Sequence, residues 1–194
     1  MTTANRRLHL VSMTALDHYR ALLRRVDEFT AGVFREYGRS MACSPGCDSC
    51  CTLETVNAIE AWVLLSHAAS LDSAERNAIR RRALDGTGER GECVLLANGL
   101  CAVYAARPII CRTHGLPLYV EGTVDFCPRN FCDVGRIESP YILGLDALNT
   151  MLGAVNLCFQ REHADPFFQK ERYALRELFK SPVADIPSEK SPLE

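Results

Sequence analysis

The chain is poor in the features that most readily assign a protein to a place. No run approaches the roughly 20 apolar residues that a membrane-spanning helix needs, so no span is expected. Neither sign of charge dominates: 22 Lys and Arg stand against 24 Asp and Glu, for a net charge of −2. That balance leaves no basic footprint, so nucleic acid is not the expected partner. The start, Met1-Thr-Thr-Ala-Asn-Arg-Arg-Leu-His-Leu-Val, has a basic pair but too short an apolar stretch for a secretory signal. No internal repeat is present. These absences point to a cytoplasmic protein without a membrane partner. At 194 residues, 47% hydrophobic and 24% charged, the chain suits one domain with a real core.

Cysteine, by contrast, is abundant. The chain holds 10, and nine of them lie between Cys43 and Cys132. Four fall in the short run Cys43-Ser-Pro-Gly-Cys47-Asp-Ser-Cys50-Cys51. Thiols packed so tightly make a disulfide scaffold or hold a soft metal. Disulfide-dense proteins are usually small, loop-rich and secreted, whereas this chain has long helical segments that can build a core. Metal is therefore the stronger reading.

Residues 14–37 are predicted as a long amphipathic helix. Leu16, Tyr19, Leu22, Leu23, Val26, Phe29, Val33, Phe34 and Tyr37 recur at helical steps, with Thr14 as N-cap and Gly38 as stop. Pro45 and Gly46 make the first cysteine run a loop. Asn57 with Glu60 reads as a capping box for a helix to about Ser70, and Asp72 with Glu75 as another, ending near Gly86. Asn98-Gly99 marks a hairpin between Cys93 and Cys101, and Glu121-Gly122 a second one. Arg107-Pro108 interrupts any helix between them. Ser139-Pro140 is expected to cap and begin a helix through Ile142, Leu145, Leu148, Met151, Leu152, Val155 and Phe159. A last helix is expected from Asp165-Pro166 through Tyr173, Leu175, Leu178 and Phe179. The fold expected is mainly α with small β-hairpins, a helical frame around a cysteine-rich loop-and-hairpin metal-binding centre. Residues 1–180 would form the single domain, with the centre at 43–132, and residues 181–194 a loose tail.

Candidate metal ligands come in three groups: Cys43, Cys47, Cys50 and Cys51; Cys93, Cys101 and Cys111; Cys127 and Cys132. A hairpin with a cysteine at each end brings two sulfurs together, as in small metal knuckles. Adjacent Cys50 and Cys51 point apart in most backbone conformations, and the spacing alone does not partition the ligands. All-thiolate coordination selects zinc or an iron–sulfur cluster. Three ligands from one tight run with a remote fourth, Cys111, suit a [4Fe–4S] cluster, and the balance tilts that way over zinc. Arg107 and Arg112 flank Cys111 and could neutralise thiolate charge or bind an anionic cofactor group, or simply make surface ion pairs. His114 could be a ligand, a proton carrier or a hydrogen-bonded surface residue. His67 and Cys158 read as structural, Cys158 as a small buried hydrophobe.

These residues resemble a known family. The run Cys43-x3-Cys47-x2-Cys50-Cys51, the Cys93 to Cys101 hairpin and Tyr104-Ala-Ala-Arg107-Pro108-Ile-Ile-Cys111-Arg112 are similar to the YkgJ-type cysteine-cluster family, described as zinc- or iron-chelating. Its members often end the region with further cysteines, which Cys127 and Cys132 supply. The resemblance covers about residues 43–132 and implies metal chelation, with little implied about activity. A protein-lysine methylase carries this type of domain, but no separate motif for a methyl donor is visible here.

Three functions compete on this reading. The leading one is a metal-binding protein with a redox, accessory or structural role. The second is a metal-dependent enzyme, a methylase or oxidoreductase. The spacing Cys43-x3-Cys47-x2-Cys50 matches that of radical S-adenosylmethionine enzymes, but a long helix precedes it and the strand–helix alternation of their barrels is absent. The third is a zinc-stapled module whose partner is another protein.

Overall fold

The computed structural model describes residues 13–86 and 91–181. The amino-terminal stretch before Met13 and the expected tail beyond Ser181 lie outside the described residues.

Helix α1, Ala15–Tyr37, begins at Thr14 in a full capping box: the Thr14 side chain accepts from the Asp17 N–H, and the Asp17 carboxylate accepts from the Thr14 N–H. Its buried stripe is Ala15, Leu16, Tyr19, Leu22, Leu23, Val26 and Val33, largely the periodic residues that define the helix in the sequence. Strand β1, Thr55–Val56, leads into helix α2, Ala58–Ser70. Nine of the 13 α2 residues are buried, so α2 is an interior helix that the others surround. Asn57 and Glu60 form its capping box, and Asp72 with Glu75 forms that of α3, Ser73–Asp85. Gly86 ends α3 at φ +96°, a conformation open to glycine at little cost.

Both hairpins form where their turn residues place them. Strands β2, Leu96–Ala97, and β3, Leu100–Cys101, pair across Asn98 and Gly99, both at positive φ. Strands β4, Leu118–Val120, and β5, Thr123–Asp125, pair across Glu121 and Gly122, also at positive φ. Two consecutive left-handed residues give the hairpin turn whose twist matches the strands. Between the hairpins lies the short helix α4, Ile109–Thr113, which starts just after Pro108 and carries Cys111.

The carboxy-terminal half departs from expectation in two places. Ser139–Tyr141 is a single 3-10 turn, after which β6, Leu143–Gly144, pairs parallel to β4. Helix α5, Leu145–Glu162, therefore starts later than the Ser139-Pro140 signal suggests. Pairing with the sheet, including the Leu143 N–H to Pro117 carbonyl bond of 2.9 Å, outweighs the local cap. Likewise Pro166–Gln169 is one 3-10 turn, Tyr173–Ala174 forms β7 against β1, and only Leu175–Lys180 is helical, as α6. The result matches the expected class: six helices with small β-hairpins among the described residues.

One large apolar core joins α1, α2, α5 and α6, with Phe159, Leu64, Ile59 and Phe179 essentially inaccessible. A smaller core of Val33, Leu116 and Phe131 lies under the loop from Phe126 to Tyr141, where Tyr37, Phe126, Phe131 and Tyr141 meet edge to face. No helix of the described residues is long and apolar enough to cross a membrane.

Candidate metal centre

The frame positions the cysteines through a few buried polar groups. Glu60 has both carboxylate oxygens occupied by backbone N–H groups, Asn57 at 3.4 Å and Ile109 at 3.1 Å. It therefore caps α2 and also fixes the start of α4, two residues before Cys111. Burial raises its carboxyl pKa, while the two N–H bonds oppose that rise. Arg112 staples the same segment from outside. Its Nη1 bonds both carboxylate oxygens of Asp27 on α1 at 2.8 Å, and its Nε and Nη2 bond the Arg107 and Ala105 carbonyls. A guanidinium spent in this way orients Cys111 and is committed to protein.

The first cysteine run is a loop, with Gly46 at φ +90°. Gly99 at the tip of the β2–β3 hairpin approaches it so closely that a Cβ there would lie 3.6 Å from the Gly46 Cα. The Cys93 N–H donates to the Cys51 carbonyl at 2.7 Å, tying the hairpin's entry to the end of the run. On the other side, buried Asn130 bridges three segments. Its Oδ1 accepts from the Ala42 N–H at 2.9 Å, its Nδ2 donates to the Gly115 carbonyl at 2.8 Å, and the same Nδ2 lies 3.4 Å from the Cys43 Sγ. Gly115, at φ +84°, is tightly enclosed: a Cβ would meet Asn130 Nδ2 at 3.1 Å, Cys127 Cβ at 3.3 Å and Cys43 Sγ at 3.4 Å. Cys43 and Cys127 thus converge over Gly115.

Electrostatics sorts the remaining thiols. Burial pushes Cys111 up to about 12, and Cys93, Cys101 and Cys51 push it the same way. Cys93 is pushed up to about 11 by burial, with Cys101 and Cys51 adding and Arg82 opposing. Burial also raises Cys51, and the charge of Cys101 adds to the rise. These four form one group. Cys50, raised by burial and then by Cys51, Cys47 and Cys43, connects it to a second. In that second group the Arg129 Nη1 lies 3.6 Å from the Cys47 Sγ. Cys132 is exposed, its thiol turned to the Pro128 carbonyl at 3.3 Å.

Seven thiols, those of Cys43, Cys47, Cys50, Cys51, Cys93, Cys101 and Cys111, line one open cavity of about 1030 Å³. Arg107, Arg112, His114 and Arg172 are also on its wall, with Glu54 as its single carboxylate. Arg107 lies over the Tyr104 ring, 3.5 Å from its centroid, and Arg172 bonds the Thr55 hydroxyl and carbonyl. Among the described residues, no three Cys, His, Asp or Glu side chains are gathered closely enough to hold a metal ion as they stand. The thiols ring a space rather than meet at a point. As a donor set they fit a soft metal, because sulfur outnumbers every other ligand on the wall.

Cys158 lies outside this arrangement and is exposed, where a buried position was expected. The buried and half-buried stripe of α5 is Leu148, Leu152, Val155, Asn156 and Phe159, and Cys158 falls beside it. Several residues that shape the site escape a reading of the sequence: Asn130, Arg82 and Arg172. Only Asn130 carries a signal, its place between Cys127 and Cys132. Glu60 is visible as a capping residue but not as the anchor of α4.

Residues 42–128 match the family model described as "CxxCxxCC: Putative zinc- or iron-chelating domain". This is the family that the cysteine motifs resemble, and the matched segment is slightly under half of the chain. It contains eight of the nine clustered cysteines, Cys132 lying beyond its end. No curated protein and no solved structure matches the chain.

Proposed function

Taking the match of residues 42–128 as the premise, we propose that the protein binds metal through two sets of four thiolates. One set is Cys51, Cys93, Cys101 and Cys111; the other is Cys43, Cys47, Cys50 and Cys127. Eight thiols inside the matched segment supply two complete tetrahedral sets, and Cys132 is surplus to them. The observation that carries the reading is the ring of seven thiols around one open cavity. Closing either set calls for side-chain rotation about bonds that cost little: seven of the eight thiols share one wall, and Cys127 meets Cys43 over Gly115.

An iron–sulfur centre, [4Fe–4S] in at least one set, is the preferred occupant. The cavity is larger than a coordinated ion needs and opens to solvent, with Arg107, Arg172 and His114 on its wall, as a centre that exchanges electrons or meets a partner requires. A purely structural zinc site is normally closed. One feature favours zinc in the first set: Cys93 and Cys101 flank a tight hairpin, the usual build of a zinc knuckle. The chemistry supplied by a bound cluster would be one-electron transfer; Arg107 would offset thiolate charge near Cys101. The role is redox or accessory, in the cytoplasm, where thiols stay reduced. None of the ten cysteines is tied up in a disulfide, so each can ionise to the thiolate that binds metal.

The test is metal and acid-labile sulfide content, with a visible spectrum, on protein purified without oxygen. Iron with equimolar sulfide is expected. Zinc without sulfide would refute the iron–sulfur assignment, and absence of any metal after anaerobic reconstitution would refute chelation.

A further inference from the structure

Helix α3 carries a cation to the back of the first thiol set. The Arg82 Nε donates to the Val94 carbonyl at 2.8 Å, one residue beyond Cys93. Its Nη2 is buried and has no hydrogen-bond partner among the described residues. An N–H left unmade in a protein interior is costly, and more so on a charged group. The bond to Val94 holds this guanidinium beside the segment that carries Cys93. A protonated thiol is a poor acceptor. A metal-bound thiolate is a charged one, and second partners of that kind orient and tune metal ligands.

We propose that Arg82 is a positioning residue of the metal centre, its Nη2 donating to the Cys93 thiolate once that sulfur is a ligand. This rests on the thiolate–metal reading above and adds to it a residue from outside the family segment's cysteine motifs. The orphaned N–H then gains an acceptor, and the guanidinium offsets part of the negative charge that four thiolates bring. Nothing in the cavity competes for it, because Arg82 is not on the cavity wall. Removing it leaves the ligands in place but leaves the charge of the Cys93 thiolate uncompensated and its orientation unfixed.

Cobalt(II) serves as the probe, titrated into reduced, metal-free full-length protein against a competing chelator. Arg82→Met is expected to weaken binding by about 10–100-fold, the usual effect of removing a ligand's hydrogen-bond partner. Its sulfur-to-cobalt charge-transfer band should move to lower energy, since the sulfur lone pair is no longer stabilised by N–H. Arg82→Lys keeps the charge and its donors, but its amine cannot reproduce the guanidinium fork that also serves Val94; it should recover most of the affinity. A merely structural Arg82 would leave the band unmoved, and its lysine variant would bind as poorly as the methionine one. Either result overturns the proposal. Should Arg82→Met not fold, Arg82→Gln is read the same way, with the band as the deciding signal. A wild-type protein that binds no cobalt refutes the metal reading itself. Cobalt binding weakened in Cys93→Ser yet equal to wild type in the Arg82 variants refutes the role of Arg82 alone.

Discussion

Metal-free protein should lose stability in alkali, and metal-loaded protein should lose it in acid. The first half follows from Cys93 and Cys111, pushed up to about 11 and about 12 from an ordinary 9.0. A thiol whose pKa is higher folded than unfolded binds its proton more tightly in the fold. Its contribution is fully present below pH 9 and is lost as pH rises toward the folded value. Every tenfold gain in proton affinity is worth about 1.4 kcal/mol, so Cys93 alone accounts for roughly 3 kcal/mol, and Cys111 acts in the same direction. Against a domain stability of about 5–15 kcal/mol, that loss is large. Buried Tyr19, whose phenol is also raised by burial, adds the same sign above pH 10. Metal reverses the dependence. Each coordinating thiol must release its proton, so the apparent binding constant of a four-thiol set falls about 10⁴-fold per pH unit on the acid side. Urea unfolding under reductant, at steps from pH 6 to 10.5, with and without zinc, reads both limbs. The Cys93→Ser/Cys111→Ser variant should flatten the metal-free limb. A metal-free midpoint unchanged between pH 8.5 and 10.5 would refute the reasoning.

Two further outcomes test the partition of the ligands. Cys111→Ser and Cys47→Ser should each remove the metal of one set while sparing the other, and Cys158→Ser should leave metal content unchanged, all read by elemental analysis of anaerobic protein. Gly115→Ala drives a Cβ into Asn130, Cys127 and Cys43 at a positive φ, so a loss of about 1–3 kcal/mol is expected. Its metal loss should be confined to the Cys43–Cys127 set; a stable, fully loaded variant would contradict the convergence of those two cysteines.

What the sequence disclosed depended on whether a signal was local. Thr14 as an N-cap, and Asn57 with Glu60 and Asp72 with Glu75 as capping boxes, are signals within four residues, and each forms. Asn98-Gly99 and Glu121-Gly122 define their own turns, and both hairpins form. Ser139-Pro140 and Asp165-Pro166 are equally good local signals, but distant strands claim the residues that follow them. Tyr173 and Ala174 pair with residues more than 100 positions earlier, which no short-range pattern encodes. The candidate site divides in the same way. Its sulfurs stand out by clustering, while the groups that aim them are single polar residues fixed by tertiary contact. Arg112 illustrates the limit: beside Cys111 it looks free to bind an anion, yet Asp27 on α1 occupies it.

The helical frame and the thiol centre draw on different residues. The large core of α1, α2, α5 and α6 is aliphatic and aromatic, and the cysteines only border it, Cys93 and Cys101 packing on its edge. The centre hangs from that frame at few points: Glu60 holds α4, Arg112 ties α4 to α1, and Asn130 with the Phe131 N–H to Ser40 carbonyl bond clamps the outer loop. A centre suspended in this way can rearrange its thiols without disturbing the core, since a few polar hydrogen bonds rather than apolar packing set its position. Metal binding would then stiffen the loops at 43–51, 93–101 and 127–132 far more than it would stabilise α2 or α5. Hydrogen exchange should slow in those three loops on loading, with little change at Leu64 or Phe159, whose burial is already complete.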